Sequence, residues 1–326
     1  MNDRSVSVLE NYDFEIVRTQ KSRNAILCET NKGWMILKEY RGQRFRLELL
    51  DKLLEEIADS GLKRAEHLLR TKDGELICPD QEQTPCIVKT WPGGRECSLK
   101  DGQECRAAMA ALASLHKAMR CPGLAAESDL RPQSLLEEYE KRNRELRRVR
   151  KFLREKGQKT AFEICLQQNF DEFWEEALRV TEEVRAYKEV LCGPEEQEGT
   201  FFHGDFQHHN LLVSGGISVV NFEKFGLGSQ MRDLYLFLRK LLEKTNWSVP
   251  LARGLLDVYG KEKKLTAADF LQLYYRFAYP EKFWKIANFY YNSGKVWIPG
   301  RNMEKLEKLV DLRRAKNAFL EQTFSL

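Results

Sequence analysis

The segment HGDFQHHN combines an aspartate with an asparagine five positions later, Asp205 and Asn210. This spacing, H-x-D-x-x-x-x-N, suits a carboxylate that orients or deprotonates an attacking hydroxyl and an amide oxygen that binds a hard magnesium ion. The chemistry that the pair indicates is phosphoryl transfer. The three residues from His203 to Asp205 alone are equally well explained as a structural turn, so the interpretation depends on the surrounding elements.

The residues that follow would bring further ligands to the same place. Two apolar runs, Leu211 to Val213 and Ile217 to Val220, flank Ser214-Gly215-Gly216 and predict a β-hairpin. It ends at Asn221, where this chemistry needs a carboxylate. Glu223 lies two residues on, on the same face of an extended strand end, and could supply that charge or could be a surface charge paired with a neighbouring cation. The predicted metal ligands are Asn210, Asn221 and Glu223.

Short strands around one helix must position this loop from the N-terminal part of the chain. AILCET and WMILKEY, joined by an N-K-G turn, predict a hairpin that carries Lys38 near its end. The segment QRFRLELLDKLLEEIADSG repeats apolar residues at helical spacing and ends at Gly61, a stop signal. ELICPD and PCIVKTW predict two more strands, the second ending at Trp91.

Beyond Pro92-Gly93-Gly94 the pattern becomes helical. ECRAAMAALASLHKAM contains no helix breaker, and apolar residues recur at three and four through the charged stretch 136–191. A capping-box pattern from Thr266 to Asp269 predicts a later helix start. We therefore expect an α+β protein of two domains, residues 1–91 and residues 92–326.

The composition excludes several classes of function. The 326 residues include 53 Lys+Arg and 49 Asp+Glu, and a net charge of +4 is far from the basic excess of nucleic-acid-binding proteins. Eight cysteines without a C-x-x-C pair argue against a zinc site or a disulfide framework. The small net charge argues against a nucleic-acid partner, and the lack of any run of about 18 apolar residues argues against a membrane partner. We expect a cytoplasmic location.

Taken together, these features resemble the aminoglycoside-phosphotransferase and choline-kinase branch of the protein-kinase-like superfamily, whose loops read H-G-D-x-x-x-x-N. More narrowly, the chain resembles the CotS family of bacterial spore coat proteins along nearly its whole length. The stretches that carry this closer resemblance are ILKEYRG (36–42), GRECS (94–98), LASLHKAMR (112–120), HGDFQHHN, NFEKF (221–225), RDLYLFLRKLLEK (232–244) and YPEKFWKIANFYYNSGKVWI (279–298).

The resemblance implies a two-lobe protein kinase-like fold, with a nucleotide-clamping lobe at residues 1–91 and a mainly helical lobe at 92–326 that carries the catalytic loop. It implies that Asp205 is the catalytic base, Asn210 a magnesium ligand and Lys38 the clamp on the α- and β-phosphates of ATP. Asp233 would brace the catalytic loop from the next helix. The hinge around the adenine would be Val88, Lys89, Thr90 and Trp91.

The acidic partner of Lys38 has two candidates. Glu48 is the first choice because the family often has a glutamate near this position, and Glu55 is the alternative; either could instead be a solvated helix charge. The preceding segment TQKSRNAIL has no glycine, so no G-x-G-x-x-G loop can close over the phosphates. Three polar residues there could still donate hydrogen bonds: Lys21, Ser22 and Asn24.

Two functions are compatible with this pattern. One is ATP- and magnesium-dependent phosphoryl transfer to a small hydroxyl compound or a coat component, which Asp205, Asn210 and Lys38 favour. The other is a pseudokinase that is a structural or scaffolding component of the spore coat, laid down from the mother-cell cytoplasm among other coat proteins. Asn221 and the missing glycines favour the second, and fold similarity cannot choose between them.

Overall fold

The computed structural model describes residues 3–22, 24–191, 199–293 and 300–324. The chain forms two compact units. The first contains residues 1–130, 198–233 and 258–263, and the second contains 131–197, 234–257 and 264–326. The predicted boundary after residue 91 lies inside the first unit, and the division into a nucleotide-clamping and a helical lobe stays a prediction.

The main sheet lies in the first unit and is antiparallel throughout. Its strands are β1 (Ile16–Ser22), β2 (Ala25–Thr30), β3 (Gly33–Glu39), β4 (Leu68–Leu69), β5 (Cys78–Pro79) and β6 (Pro85–Thr90). Their order is β1-β2-β3-β6-β4, and β5 also pairs with β6. The strand predicted for AILCET is β2 in full, whereas ELICPD contributes only the two residues of β5. The register places Lys38 beside Ala25 and Ile87.

One face of this sheet packs on the N-terminal 3₁₀ helix Asp3–Asn11. The apolar core there consists of Val8, Leu9, Tyr12, Ile26, Cys28, Met35, Leu37, Cys86 and Val88. Helix α1 (Arg44–Asp59) follows β3, and Leu50, Leu53 and Ile57 on its buried side recur every three or four residues. It ends before Gly61, whose φ of +87° is the left-handed conformation expected of a helix stop.

Two small sheets surround the HGDFQHHN segment. The first contains β7 (Arg95–Glu96), β9 (Leu211–Val213) and β10 (Ile217–Val219), and the second pairs β8 (Phe201–Phe202) with β11 (Gly226–Leu227). Strands β9 and β10 form the predicted hairpin. Arg64 donates to the carbonyl oxygens of Ser214 (3.1 Å) and Gly215 (2.9 Å) in its turn. Gly216 adopts a φ of +151°, a conformation that residues with a side chain rarely adopt, so this turn favours glycine.

The remaining helices complete the α+β class that the sequence predicted. They are α2 (Gly102–Ala118), α3 (Pro122–Glu127), α4 (Leu135–Glu155), α5 (Ala161–Ala186), α6 (Lys188–Leu191), α7 (Met231–Leu242), α8 (Val249–Glu262), α9 (Ala267–Ala278), α10 (Glu281–Asn292), α11 (Gly300–Asp311) and α12 (Arg313–Thr323). The predicted capping box is present: Thr266 Oγ1 accepts from the Asp269 N–H (3.1 Å) and Asp269 Oδ2 from the Thr266 N–H (2.8 Å). No helix within the described residues has the length and apolar character of a membrane span.

Candidate active site

A buried carboxylate, that of Asp233, holds the backbone at the start of the HGDFQHHN loop. Asp233, in the first turn of α7, accepts hydrogen bonds from the backbone N–H groups of His203 (2.7 Å) and Gly204 (2.8 Å). The contact predicted for Asp233 is therefore found. Gly204 has a φ of +80°, and a Cβ there would lie 2.1 Å from the Lys224 carbonyl oxygen. Only glycine lets the loop pass this close to the segment after Asn221.

A histidine that the sequence analysis did not single out holds Asp233 in turn. His116 of α2 is buried, with Nε2 3.2 Å from Asp233 Oδ2 and Nδ1 2.8 Å from the Tyr259 hydroxyl. Burial lowers the pKa of His116, against the influence of Asp233. Burial alone would raise the pKa of Asp233, yet the hydrogen bonds with His116 and with the His203 N–H help to hold it below its ordinary value. Asp233 is therefore a buried carboxylate whose two oxygens are both hydrogen-bonded.

Asp205, the predicted base, is largely buried, and both of its carboxylate oxygens accept hydrogen bonds. Lys224 Nζ donates to Oδ2 (2.9 Å) and Gln207 Nε2 donates to Oδ1 (2.7 Å). Burial alone would raise the pKa of Asp205, but the hydrogen bond and charge of Lys224, together with the hydrogen bond from Gln207, hold it below its ordinary value. At neutral pH the group is therefore ionised and can accept hydrogen bonds.

The predicted metal ligands Asn210 and Asn221 contact each other. Asn210 Nδ2 donates to the Asp205 carbonyl oxygen (2.8 Å), and its Oδ1 accepts from Asn221 Nδ2 (2.9 Å). Asn221 adopts a left-handed φ of 67°, which asparagine tolerates better than most residues. Its N–H and that of Phe222 donate to Glu66, at 2.8 and 3.1 Å. Glu66 thus fixes the end of the hairpin.

Lys38 contacts the hairpin end and not helix α1. Its Nζ lies 2.8 Å from Glu223 Oε1 and 3.0 Å from Asn221 Oδ1. The pairing with Glu48 is not found, because Glu48 is bound at 3.0 Å by Arg44, one helical turn earlier on the exposed side of α1. The alternative, Glu55, is exposed on the same helix. The carboxylate beside Lys38 is therefore Glu223, which the sequence offered as a metal ligand or a paired surface charge and not as the partner of Lys38.

Three of the four predicted hinge residues, Val88 to Thr90, lie in β6, and Trp91 directly follows the strand. Their side chains face different surroundings. Val88 is fully buried in the sheet core. Thr90 Oγ1 accepts from the His67 N–H (2.8 Å), and the Trp91 N–H donates to the Trp34 carbonyl oxygen (2.8 Å). The role of these residues as the hinge around the adenine stays a prediction.

Lys89, the fourth of these residues, points its side chain into a buried ionic cluster. The Lys89 side chain is 0% exposed, and its Nζ lies 2.9 Å from Glu66 Oε1, 2.8 Å from Glu223 Oε1 and 3.3 Å from Asn221 Oδ1. Burial alone would lower the pKa of Lys89, but the two carboxylates raise it above its ordinary value. We use the name ionic cluster for the side chains of Lys38, Glu66, Lys89 and Glu223.

The cluster borders a cleft of about 980 Å³ in the first unit. The cleft is lined by Asn24, Lys38, Glu39, Tyr40, Arg41, Gly42, Arg46, Asp205, His209, Asn210, Asn221, Glu223 and Lys224. Four of these side chains are cationic and three are carboxylates. A concave surface with clustered lysine and arginine side chains suits a polyphosphate.

The oxygens at this cleft fit a magnesium ion only in part. Asn210, Asn221 and Glu223 offer the hard oxygen donors that magnesium prefers. Among the residues that the structure describes, no three His, Cys, Asp or Glu side chains form a metal-binding group. Magnesium commonly takes only one or two carboxylates from a protein and the rest of its ligands from substrate phosphates and water. The site therefore fits a metal that arrives with a nucleotide.

Solved structures with the same fold include several phosphotransferases. An aminoglycoside phosphotransferase from Alicyclobacillus acidocaldarius has a TM-score of 0.83 at 18% identity, covering 98% of this chain and 94% of that one. An amicoumacin kinase in complex with AMP-PNP and Ca²⁺ has a TM-score of 0.61 at 14% identity, covering 99% and 94%. A choline kinase from Cryptosporidium parvum has a TM-score of 0.54 at 13% identity, covering 97% and 92%. These likenesses confirm the kinase-like α+β fold.

Sequence comparison assigns the family independently of the fold. No curated protein sequence matches the chain significantly. A model of the phosphotransferase enzyme family, however, matches residues 16–273, which include the HGDFQHHN loop, the β9–β10 hairpin and Lys38. Since this match spans most of the chain, the protein belongs to the phosphotransferase enzyme family.

Proposed function

We propose that the protein transfers the γ-phosphoryl group of ATP to the hydroxyl of a small acceptor. The observation that carries this proposal is the convergence of Lys38, Asp205, Asn210 and Glu223 on one cationic cleft. These side chains come from β3, the HGDFQHHN loop and the end of the β9–β10 hairpin, so only the folded chain assembles them. Family membership supports the same reaction class.

The arrangement suits in-line displacement. The acceptor hydroxyl oxygen would form a bond to the γ-phosphorus, the bond to the β–γ bridging oxygen would break, and ADP would leave. Asp205 would orient the hydroxyl and take its proton, while the Lys38 ammonium would bind the α- and β-phosphates. A magnesium ion bound with the nucleotide would be held by Asn210, Asn221 and Glu223, and would neutralise phosphate charge there.

Nucleotide binding is tested by thermal unfolding. Millimolar magnesium-ATP is expected to raise the melting temperature by roughly 5 °C at saturating nucleotide, because a ligand that binds only the folded state stabilises it. Asn221→Asp should enlarge the shift, since it adds a carboxylate among the predicted metal ligands. No shift for either form would exclude nucleotide binding at this cleft.

The contact between Lys224 and Asp205 gives the reaction a testable pH dependence. Because Lys224 lowers the pKa of Asp205, the base stays ionised, and activity persists as pH falls towards that lowered pKa. Lys224→Met removes the donor and should raise this pKa, so that the acid limb of kcat/KM moves to higher pH. Lys224→Arg is the matched control and should retain the wild-type limb. Superimposable profiles for Lys224→Met and wild type would contradict the role of Lys224.

We also propose the closer placement within the CotS family, with deposition on the spore coat from the mother-cell cytoplasm. The long stretches quoted above support it, from ILKEYRG to YPEKFWKIANFYYNSGKVWI. A scaffolding role without catalysis is the second candidate, and the neutral amide of Asn221 favours it. ATP turnover that Asp205→Ala abolishes would eliminate a purely structural role, and absence of the protein from purified coats of its sporulating host would exclude the coat assignment.

A further inference from the structure

One buried ammonium of the ionic cluster, that of Lys89, contacts both a buried carboxylate and a carboxylate that lines the cleft. Lys89 pairs with Glu66 in a contact where both side chains are 0% exposed. If the role of Lys89 were only to neutralise Glu66, its Nζ would need no further carboxylate. It also lies 2.8 Å from Glu223 Oε1, and Glu223 is 22% exposed at the cleft. The same ammonium therefore acts on a residue of the candidate active site.

Both lysines of the cluster donate hydrogen bonds to the same two oxygens. Glu223 Oε1 and Asn221 Oδ1 each accept from Lys38 and from Lys89, at distances between 2.8 and 3.3 Å. These are two of the three side chains that the proposed function assigns to a divalent ion. A metal that approached them would meet two fixed positive charges within hydrogen-bond distance of its ligands, and this repulsion would be weakly screened where Lys89 is buried.

The formal charge of the cluster is already balanced. Two carboxylates, Glu66 and Glu223, face two ammoniums, Lys38 and Lys89. The amide of Asn221 adds no charge where an aspartate would have added one. The extra buried lysine and the missing carboxylate therefore act in the same direction, because both make the site less attractive to a cation.

We propose that the Lys89 ammonium is a fixed positive charge beside the residues that would bind the nucleotide phosphates. There it competes with divalent metal ions for Glu223 and Asn221. The protein then holds no divalent ion by itself and takes up a metal only together with nucleotide phosphates, which supply the missing negative charge. This inference rests on the proposed function for its biological meaning. The competition itself concerns the free protein and is measurable without ATP.

Binding of Mn²⁺ alone, followed by its electron paramagnetic resonance signal, tests the competition. We expect no binding to the wild-type protein below millimolar Mn²⁺. Lys89→Met leaves Glu66 buried without its cation and could prevent folding, so the charge-balanced double variant Glu66→Gln/Lys89→Met is the main test. Since it frees Glu223 from one ammonium, we expect its Mn²⁺ affinity to rise at least about tenfold. If the single variant folds, it should bind at least as tightly.

The matched control removes an equivalent lysine elsewhere. Lys316 pairs with Glu176 at 2.8 Å in the second unit, and both side chains are largely buried. Lys316→Met should leave Mn²⁺ affinity unchanged. Tight Mn²⁺ binding to the wild type, equal affinity in the wild type and the double variant, or the same gain in Lys316→Met would overturn the proposal. A protein that shows the expected Mn²⁺ pattern but no phosphoryl transfer would refute the proposed function alone.

Discussion

Asp205→Asn is expected to lower kcat for phosphoryl transfer by about 10²- to 10⁴-fold, the usual contribution of a positioned general base. The amide can still accept a hydrogen bond from Lys224 or Gln207, so the loop should keep its conformation. It cannot take a proton from the acceptor hydroxyl. The affinity for ATP, measured by equilibrium titration, should change little, because the lost interaction belongs to the transition state.

The control for this variant is Asp129→Asn, at an exposed aspartate of the same unit. It should leave kcat unchanged. If Asp205→Asn retained full turnover, another group would have to accept the proton, and the assignment of Asp205 as base would be wrong. If both variants and the wild type bound ATP but transferred phosphate to no acceptor, that result would support the scaffolding role.

Asp233→Ala is expected to destabilise the protein by about 3 to 5 kcal/mol, the cost of breaking a buried charged network by removing one partner. The backbone N–H groups of His203 and Gly204 would lose their acceptor, and His116 would lose its carboxylate. Urea unfolding measures the loss. Catalysis should fall as well, because the loop that carries Asp205 would no longer be anchored.

The contribution of Asp233 should depend on pH in a defined direction. Its pKa in the folded protein lies below the ordinary value, so its stabilising effect is present above the ordinary aspartate pKa and is lost as pH falls through the lowered one. Asp257→Ala, at an exposed aspartate, is the control and should change stability by less than about 0.5 kcal/mol. Equal stability of Asp233→Ala and wild type would show that the loop is anchored by other contacts.

Local sequence signals predicted much of the fold. The strand AILCET, the hairpin around Ser214-Gly215-Gly216 and the capping box at Thr266 depend on residues close together in sequence, where turn chemistry and side-chain period act directly. The stop at Gly61 belongs to the same group. ELICPD was a weaker case, because a short apolar run does not determine how many of its residues find a pairing partner.

The partner of Lys38 was not predictable in the same way. Glu48 was chosen by family pattern, although Arg44 at i−4 offered a local competitor that the sequence showed. Glu66 lies 155 positions from Asn221, and no period or turn links them. Lys89 did leave a signal: a lysine within the apolar strand PCIVKTW must be paired if the strand is buried on both faces.

The three consecutive residues Arg64, Ala65 and Glu66 follow the β9–β10 hairpin from its turn to its end. Arg64 binds the turn carbonyls, Ala65 forms a parallel bridge with Val219, and Glu66 accepts from the N–H groups of Asn221 and Phe222. The spacing of these three residues therefore matches the length of the hairpin. Adding or deleting one residue within this segment would displace Asn221 and Glu223 from Lys38. We therefore expect insertions and deletions to be tolerated up to the stretch between Gly61 and Arg64 and not beyond it.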